Sequence, residues 1–328
     1  MINWGIIGCG NVTEVKSGPA FSKVLDSRLI AVMRRDALLA EDYAHRHNVP
    51  KFYSRASDLI NDKDINAVYI ATPPGSHAEY ALETIKAGKP VYIEKPMAVN
   101  YAECLKINRA AEKYNVPVFV AYYRRALPGF LLVKEMIEKG NIGKVRFVQI
   151  QLFKSPSDDE RAGKLPWRVD PKVSGGGHFF DLASHQLDWL DYIFGPIQRL
   201  NSIVLNQAEL YNAEDFVTAE FVFPGNIIGT GTWCFSVSTD SGRDIIEILG
   251  DGGSIKFSTF SFDPIVLTNS SGSQKFINER PEHVQLNLIE KIVQTLHGKG
   301  TSPSTGITGA RTSKVMDEVV SEYYKNKR

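Results

Sequence analysis

No apolar run in the sequence approaches the roughly 18 residues that a membrane-spanning helix needs. Met1-Ile2-Asn3-Trp4 leads straight into a strand pattern, without the charged and apolar regions of a signal peptide. The expectation is a cytoplasmic protein with no membrane partner. Cysteine is scarce: Cys9, Cys104 and Cys234 are widely spaced and form no Cys-x-x-Cys pair. That excludes the common sulfur-based zinc spacings and points to reduced thiols. An excess of one charge is also missing, since 38 Lys and Arg face 37 Asp and Glu. The one dense basic stretch, Lys325-Asn326-Lys327-Arg328, reads as a solvated chain end, so the charge pattern argues against a nucleic-acid partner. There is no internal repeat, and low-complexity sequence is confined to Asn269-Ser270-Ser271-Gly272-Ser273.

What is present is an ordinary globular composition, 43% hydrophobic and 23% charged, on a chain whose 328 residues suggest about two domains. Short β-rich runs at 3–7, 29–34, 67–71, 91–94 and 118–122 alternate with amphipathic stretches, which is the βαβ rhythm of a parallel sheet covered on both faces. Near Tyr123 the rhythm changes. A helical pattern at 130–139 leads to alternating strand runs at 145–153, 216–223, 227–235 and 245–249, with turn signals at Pro224-Gly225-Asn226 and Gly250-Asp251-Gly252-Gly253. Helical patterns around 284–296 and 308–324 close the chain. The fold class is therefore α/β. A doubly wound parallel sheet over 1–122 precedes an α/β domain over 123–328 with a mainly antiparallel open sheet.

Gly8-Cys9-Gly10 follows the first strand directly, the context in which a glycine turn lets a helix start approach a pyrophosphate. Gly8, Gly10 and the next two residues, Asn11 and Val12, are the candidate phosphate contacts. Thr13 stands where the third glycine of the dinucleotide fingerprint is expected, so its hydroxyl either caps or binds phosphate, and helix and strand should lie slightly apart. A plain turn between strand and helix is the alternative. The second strand ends Val32-Met33-Arg34-Arg35-Asp36, with Arg34 where an acidic residue would hold a ribose diol. A guanidinium suits a 2′-phosphate and a neighbouring one can stack on adenine, so Arg34 and Arg35 favour NADP(H). Asp36, two residues on, keeps NAD(H) open, and paired solvated arginines are a further reading.

Glu94-Lys95-Pro96 begins where the apolar run Val91-Tyr92-Ile93 ends. Ligands of open parallel sheets bind beyond the carboxyl ends of the strands, so Lys95 should point into a site, with proline stiffening the turn. A solvated lysine before a loop proline is the alternative. Gly175-Gly176-Gly177 precedes a helical stretch from His178 to Leu190 that ends at Gly195-Pro196. Asp181 and His185 lie one turn apart on one face of it, and burying them unpaired would cost several kcal/mol, so they should face each other, a ligand or a cleft. A satisfied core pair is one alternative. A metal held by His178, Asp181, His185 and Asp188 is another, ranked low because it leaves Lys95 without a role. Trp167 and Arg168, just before the glycines, could line a pocket or simply pack together.

These motifs, together with Thr72-Pro73, His77 and Gly88-Lys89-Pro90-Val91, resemble the Gfo/Idh/MocA oxidoreductase family across nearly the whole chain and in the right order. The resemblance implies an N-terminal Rossmann domain and a C-terminal domain whose open sheet makes homodimers or homotetramers. It implies that Lys95 contacts nicotinamide and substrate, that Asp181 and His185 form the catalytic pair, and that Glu94, Thr72, Pro73 and His77 lie near the cofactor. Tyr122 and Arg124 resemble the segment that enters the substrate domain. Hydride transfer at a carbinol needs a proton acceptor for the hydroxyl. An imidazole, ordinarily titrating near 6.5, suits that task better than an ammonium near 10.4. The expectation is an NADP(H)-dependent oxidoreductase acting on a secondary carbinol or carbonyl of a sugar, anhydro sugar or polyol. A non-sugar carbonyl or dihydrodiol, or a non-catalytic NADP-sensing regulator, are the alternatives.

Overall fold

The short apolar runs of the N-terminal part form six parallel strands: β1 (Ile2–Ile7), β2 (Ser27–Met33), β3 (Lys51–Tyr53), β4 (Ala67–Ile70), β5 (Val91–Ile93) and β6 (Val118–Val120). Their order is β3-β2-β1-β4-β5-β6, the doubly wound arrangement whose direction reverses between β1 and β4. Every residue of β4 and β5 is buried, as expected of strands covered on both faces. This computed structural model describes residues 1–325. The last three residues of the basic stretch, Asn326, Lys327 and Arg328, lie outside the described residues.

The helices of this region begin and end on chemical signals. After α1 (Asn11–Val15), α2 (Ala37–Arg46) is capped by Asp36, whose carboxylate accepts from the Leu38 and Leu39 amides. Next comes α3 (His77–Lys86), then α4 (Tyr101–Tyr114), capped by Asn100 and closed by Asn115 in the left-handed region. One side of the sheet packs aromatics: Trp4 lies 4.8 Å from Phe21, and Tyr69 stacks on Tyr92 at 4.8 Å. Another cluster gathers Ile7, Val68, Ile70, Val91, Ile93 and Val118. Each such side chain contributes about 1.5–3 kcal/mol by leaving water.

The chain forms two compact units, Met1–Ala126 with Pro281–Ser313, and Leu127–Arg280 with the chain from Lys314 onward. The returning segment is tied to the six-stranded sheet. Ser304 Oγ donates to the Val120 carbonyl at 2.7 Å, and Phe119 bridges Thr305.

In the second unit, α5 (Pro128–Glu138) precedes β7 (Val145–Phe153), and α6 (His178–Phe194) precedes β8 (Arg199–Leu205), β9 (Phe216–Phe223), β10 (Ile227–Cys234), β11 (Arg243–Gly250), β12 (Gly253–Phe257), β13 (Ile265–Asn269) and β14 (Gly272–Phe276). The order is β14-β13-β12-β11-β7-β10-β9-β8, and only β7 and β10 pair in parallel. Alternate residues make two unlike faces. Val148, Ile150 and Leu152 with Val217, Ala219 and Phe221 are buried, whereas Gln149 and Gln151 with Thr218 and Glu220 are not. Trp189 of α6 meets Phe257 edge-on at 5.2 Å, and Gln186 donates to Thr259 Oγ1 while accepting from the Trp233 indole. The serine-rich loop at 269–273 is the turn of the β13–β14 hairpin.

Candidate active site

The glycine turn sits at the carboxyl end of β1, with the Gly8 amide bonded to the Met33 carbonyl of β2 at 2.8 Å. Gly8 has φ +92, and a Cβ there would lie 2.7 Å from Thr72 Cγ2 and 2.9 Å from the Thr72 amide. Glycine is therefore required by both conformation and space. A Cβ at Gly10 would meet nothing nearer than the Gly8 carbonyl at 4.0 Å, so that side of the turn is open to a group that must approach the backbone closely. This cradle fits a dinucleotide pyrophosphate.

Thr13 is fully buried, and its hydroxyl donates to the Gly10 carbonyl at 2.8 Å. It caps inward. Gly18, just past α1, is itself closely packed: a Cβ there would lie 2.3 Å from both the Thr13 carbonyl and the Tyr43 hydroxyl. Tyr43 donates to that same carbonyl at 2.8 Å. Glu14 is held by both terminal nitrogens of Arg46 at 2.8 and 2.9 Å and by His47 at 2.7 Å. Hydrogen bonding by Arg46, against a burial cost and with help from His47, lowers the Glu14 carboxyl to about 2. Cys9 is buried between these elements, and burial pushes its thiol up to about 11, with the Arg34 charge pulling back. All three cysteines are buried and none is in a disulfide.

Arg34 and Arg35 are exposed immediately after β2, and Arg34 Nη1 reaches the Cys9 carbonyl at 3.5 Å, beside the glycine turn. The loops after β4 and β5 supply the next residues. Thr72 Oγ1 accepts from Ser76 at 2.8 Å. His77 is fully buried, with its ring nitrogens 2.7 Å from the Thr72 carbonyl and 3.0 Å from the Pro96 carbonyl, so its ring ties the two loops together. Burial lowers the pKa of this imidazole, opposed by its two carbonyl partners. The Lys95–Pro96 peptide is cis. Glu94 extends the sheet pairing of β5 through its amide to Ile70, and its carboxylate turns inward to Tyr69, Gln285 and the Lys95 amide. Tyr122 and Arg124 follow β6 and are both buried, with Arg124 over the Tyr123 ring at 4.9 Å. Thus the turn at Gly8, Arg34, Thr72, Lys95 and Tyr122 all stand at the carboxyl ends of neighbouring strands in one sheet.

The second unit holds the other candidates. α6 starts against a wall: a Cβ at Gly177 would come 2.6 Å from the Glu214 carbonyl, and the Gly177 amide donates to Glu214 Oε1 at 2.7 Å. Asp181 is in the first turn of α6 and accepts from Arg168 Nε at 3.1 Å. His185, one turn later, is buried with its ring edge-on to Phe260 at 6.0 Å. Trp167 is 38% exposed with the Arg168 guanidinium over its ring at 4.5 Å. Packing and ion pairing therefore coexist there, since Arg168 links Trp167 to Asp181. His178 pairs with Glu160 at 2.6 Å. Among the described residues, no group of three or more His, Cys, Asp or Glu side chains is arranged to hold a metal ion, and no helix is long and apolar enough to cross a membrane.

Sequence reasoning did not single out Gly18, Glu214 or Gln285. Glu214 and Gln285 bond to Gly177 and Glu94 far along the chain, and the crowding at Gly18 comes partly from Tyr43 on another helix, so no local pattern marks them.

Residues 2–122 match the family described as an oxidoreductase family with an NAD-binding Rossmann fold, and residues 130–256 match the GFO/IDH/MocA C-terminal domain. An oxidoreductase of Formosa agariphila is 40% identical over 317 residues, 96% of this chain and 97% of that protein. The trans-1,2-dihydrobenzene-1,2-diol dehydrogenase of Mus musculus is 29% identical over 241 residues, 72% of this chain and 69% of its own. Levoglucosan dehydrogenase in complex with NADH and levoglucosan shares the fold, with a TM-score of 0.89 at 22% identity over 99% of this chain and 97% of that one. The chain belongs to the Gfo/Idh/MocA oxidoreductases. It is an NAD(P)-dependent oxidoreductase with an NAD-binding Rossmann domain.

Proposed function

We propose that this oxidoreductase moves a hydride between NADP(H) and a secondary carbinol, or its carbonyl, on a sugar, anhydro sugar or polyol. The observation that carries the reading is Lys95, placed on the loop after β5 at the same sheet end as the Gly8–Gly10 turn. The solved structures of levoglucosan dehydrogenase with levoglucosan, and of an aldose-aldose oxidoreductase from Caulobacter crescentus with glycerol, support the substrate class. A bound nicotinamide supplies or accepts the hydride. Gly8, Gly10, Asn11 and Val12 would hold its pyrophosphate, with Thr72, Pro73, Glu94 and Lys95 along the neighbouring strand ends and His77 acting through the loops it ties. Arg34 and Arg35 would meet the 2′-phosphate and the adenine.

In this reading Lys95 orients and polarises the substrate oxygen, and His185 takes the hydroxyl proton in oxidation or returns it in reduction. Asp181 binds a neighbouring hydroxyl or holds His185. Tyr122, Arg124, Trp167 and Arg168 would line the substrate site. A dihydrodiol is the second reading, supported by the Mus musculus relative.

The second unit would associate with copies of itself, as a homodimer or homotetramer, through the less buried sheet face. Ile203 and Ile228 lie on that face, 60% and 51% exposed. Ile228→Lys should lower the molar mass measured by light scattering, and an unchanged mass would sink this assignment.

A panel of sugars, anhydro sugars, polyols, dihydrodiols and carbonyls, followed by nicotinamide absorbance with both cofactors, tests the function. Turnover confined to non-sugar substrates would favour the second reading. Binding of NADP(H) without turnover on any of them would point to a cofactor-sensing protein.

A further inference from the structure

Glu94 lies one residue before Lys95 and only 7% of it is exposed, so its carboxylate needs donors from the protein. It has three. Oε2 accepts the Lys95 backbone N–H at 3.2 Å, while Oε1 accepts the Tyr69 hydroxyl and the Gln285 Nε2 at 2.5 Å. Gln285 is fully buried, and its own Oε1 accepts the Tyr92 hydroxyl at 2.7 Å. The carboxylate fixes which end of the amide faces it, because a carboxylate only accepts, and that leaves Oε1 to accept from the Tyr92 hydroxyl. Burial pushes both phenols well up from their ordinary value, so both stay protonated as donors. The backbone of Gln285 adds a further tie, donating to the Lys16 carbonyl just past α1 at 3.3 Å.

We propose that Gln285 is a positioning residue for Lys95: its amide, aimed by Tyr92, fixes the Glu94 carboxylate that in turn holds the Lys95 turn. All the partners lie within the first unit, and Gln285 comes from the returning segment, about half the chain away from the lysine it serves. The inference rests on the reading of Lys95 as the group that orients substrate. Its physical basis is that a misplacement of about 1 Å at a reacting group can cost on the order of 100-fold in rate. A network with every donor used leaves the carboxylate one rotamer, and a carboxylate missing one donor has several.

The test uses the full chain with Gln285→Met, which keeps similar volume and removes the donor and the acceptor together. Amide hydrogen exchange is measured in the protein without cofactor, on the peptide covering 94–97. Exchange there should quicken by about 10-fold or more while the rest of the first unit stays near wild type. NADPH affinity by fluorescence titration should stay within about twofold, and turnover on the best substrate of the panel should fall by about 10-fold or more, with a larger primary deuterium isotope effect from C4-deuterated nicotinamide. Wild-type exchange at 94–97, or faster exchange spread evenly over the first unit, overturns the proposal and leaves Gln285 as a staple for its segment. Should Gln285→Met fail to fold, Tyr92→Phe removes only the bond that aims the amide. It should show the same localised change, smaller in size, and wild-type exchange there overturns the proposal. Lys95→Ala separates the two claims. Wild-type turnover in Lys95→Ala refutes the reading of the lysine, whereas a crippled Lys95→Ala beside an unaffected Gln285→Met refutes the positioning role alone.

Discussion

The Asp36 carboxylate accepts the Leu38 amide at 3.0 Å and the Leu39 amide at 3.2 Å, so the acidic residue nearest the end of β2 is used to start α2. Arg34, not Asp36, is the side chain adjacent to the glycine turn. This division of labour underlies the cofactor prediction. Arg34→Asp should shift the ratio of NADPH to NADH affinities by about 10-fold or more toward NADH, because it removes a guanidinium suited to a 2′-phosphate and restores a diol acceptor. Asp36→Ala should cost about 1 kcal/mol of stability through the lost cap and leave the ratio near wild type. Titration of both cofactors by fluorescence checks each outcome, and a preference for NADH in the wild type would contradict the assignment.

Gly8→Ala should both destabilise the protein by about 1–3 kcal/mol and weaken nucleotide binding, since the residue sits at φ +92 and its Cβ would press on Thr72. A Gly10→Ala change has room within the protein, so its effect should fall on nucleotide affinity with little change in melting temperature. Equal losses of stability in the two variants would show that Gly10 is a packing glycine.

Glu14 gives a pH test. Its carboxyl is lowered to about 2 by Arg46 and His47, so its pairing stabilises the fold above the ordinary glutamate value of about 4.3 and is lost as pH falls through about 2. The side chain is about a third exposed, and solvent screening reduces the contribution to about 1 kcal/mol. Glu14→Gln should therefore lose about that much stability near neutral pH and show a flatter decline between roughly pH 4 and 2 in urea unfolding. Parallel declines in the two proteins would place the acid sensitivity elsewhere.

The parallel sheet was legible because its strands are buried on both faces and read as continuous apolar runs, as at Val91-Tyr92-Ile93. β3, β8 and β14 escaped notice because none of their residues is buried, so burial imposes no pattern on them, and β12 and β13 were missed as five-residue runs too short to show a clear alternation. The helix carrying Asp181 and His185 stops at Phe194, with Gly195 in a positive-φ conformation, where Gly195-Pro196 announced it. Local signals also marked the turn at Gly8 and Lys95. The Arg168–Asp181 pair crosses a loop, and the links from Gln285 to Glu94 and from Glu214 to Gly177 depend on packing between segments far apart in the chain. Periodicity and spacing carry no information about those.

The most direct test of the proposed chemistry is turnover of His185→Ala on the substrate found by the panel, with NADP(H) affinity measured alongside. A general acid or base contributes about 10² to 10⁴ in rate, so turnover should fall by that factor while nucleotide affinity stays within about twofold. Wild-type turnover by purified His185→Ala, under conditions where hydride transfer limits the rate, would contradict the account.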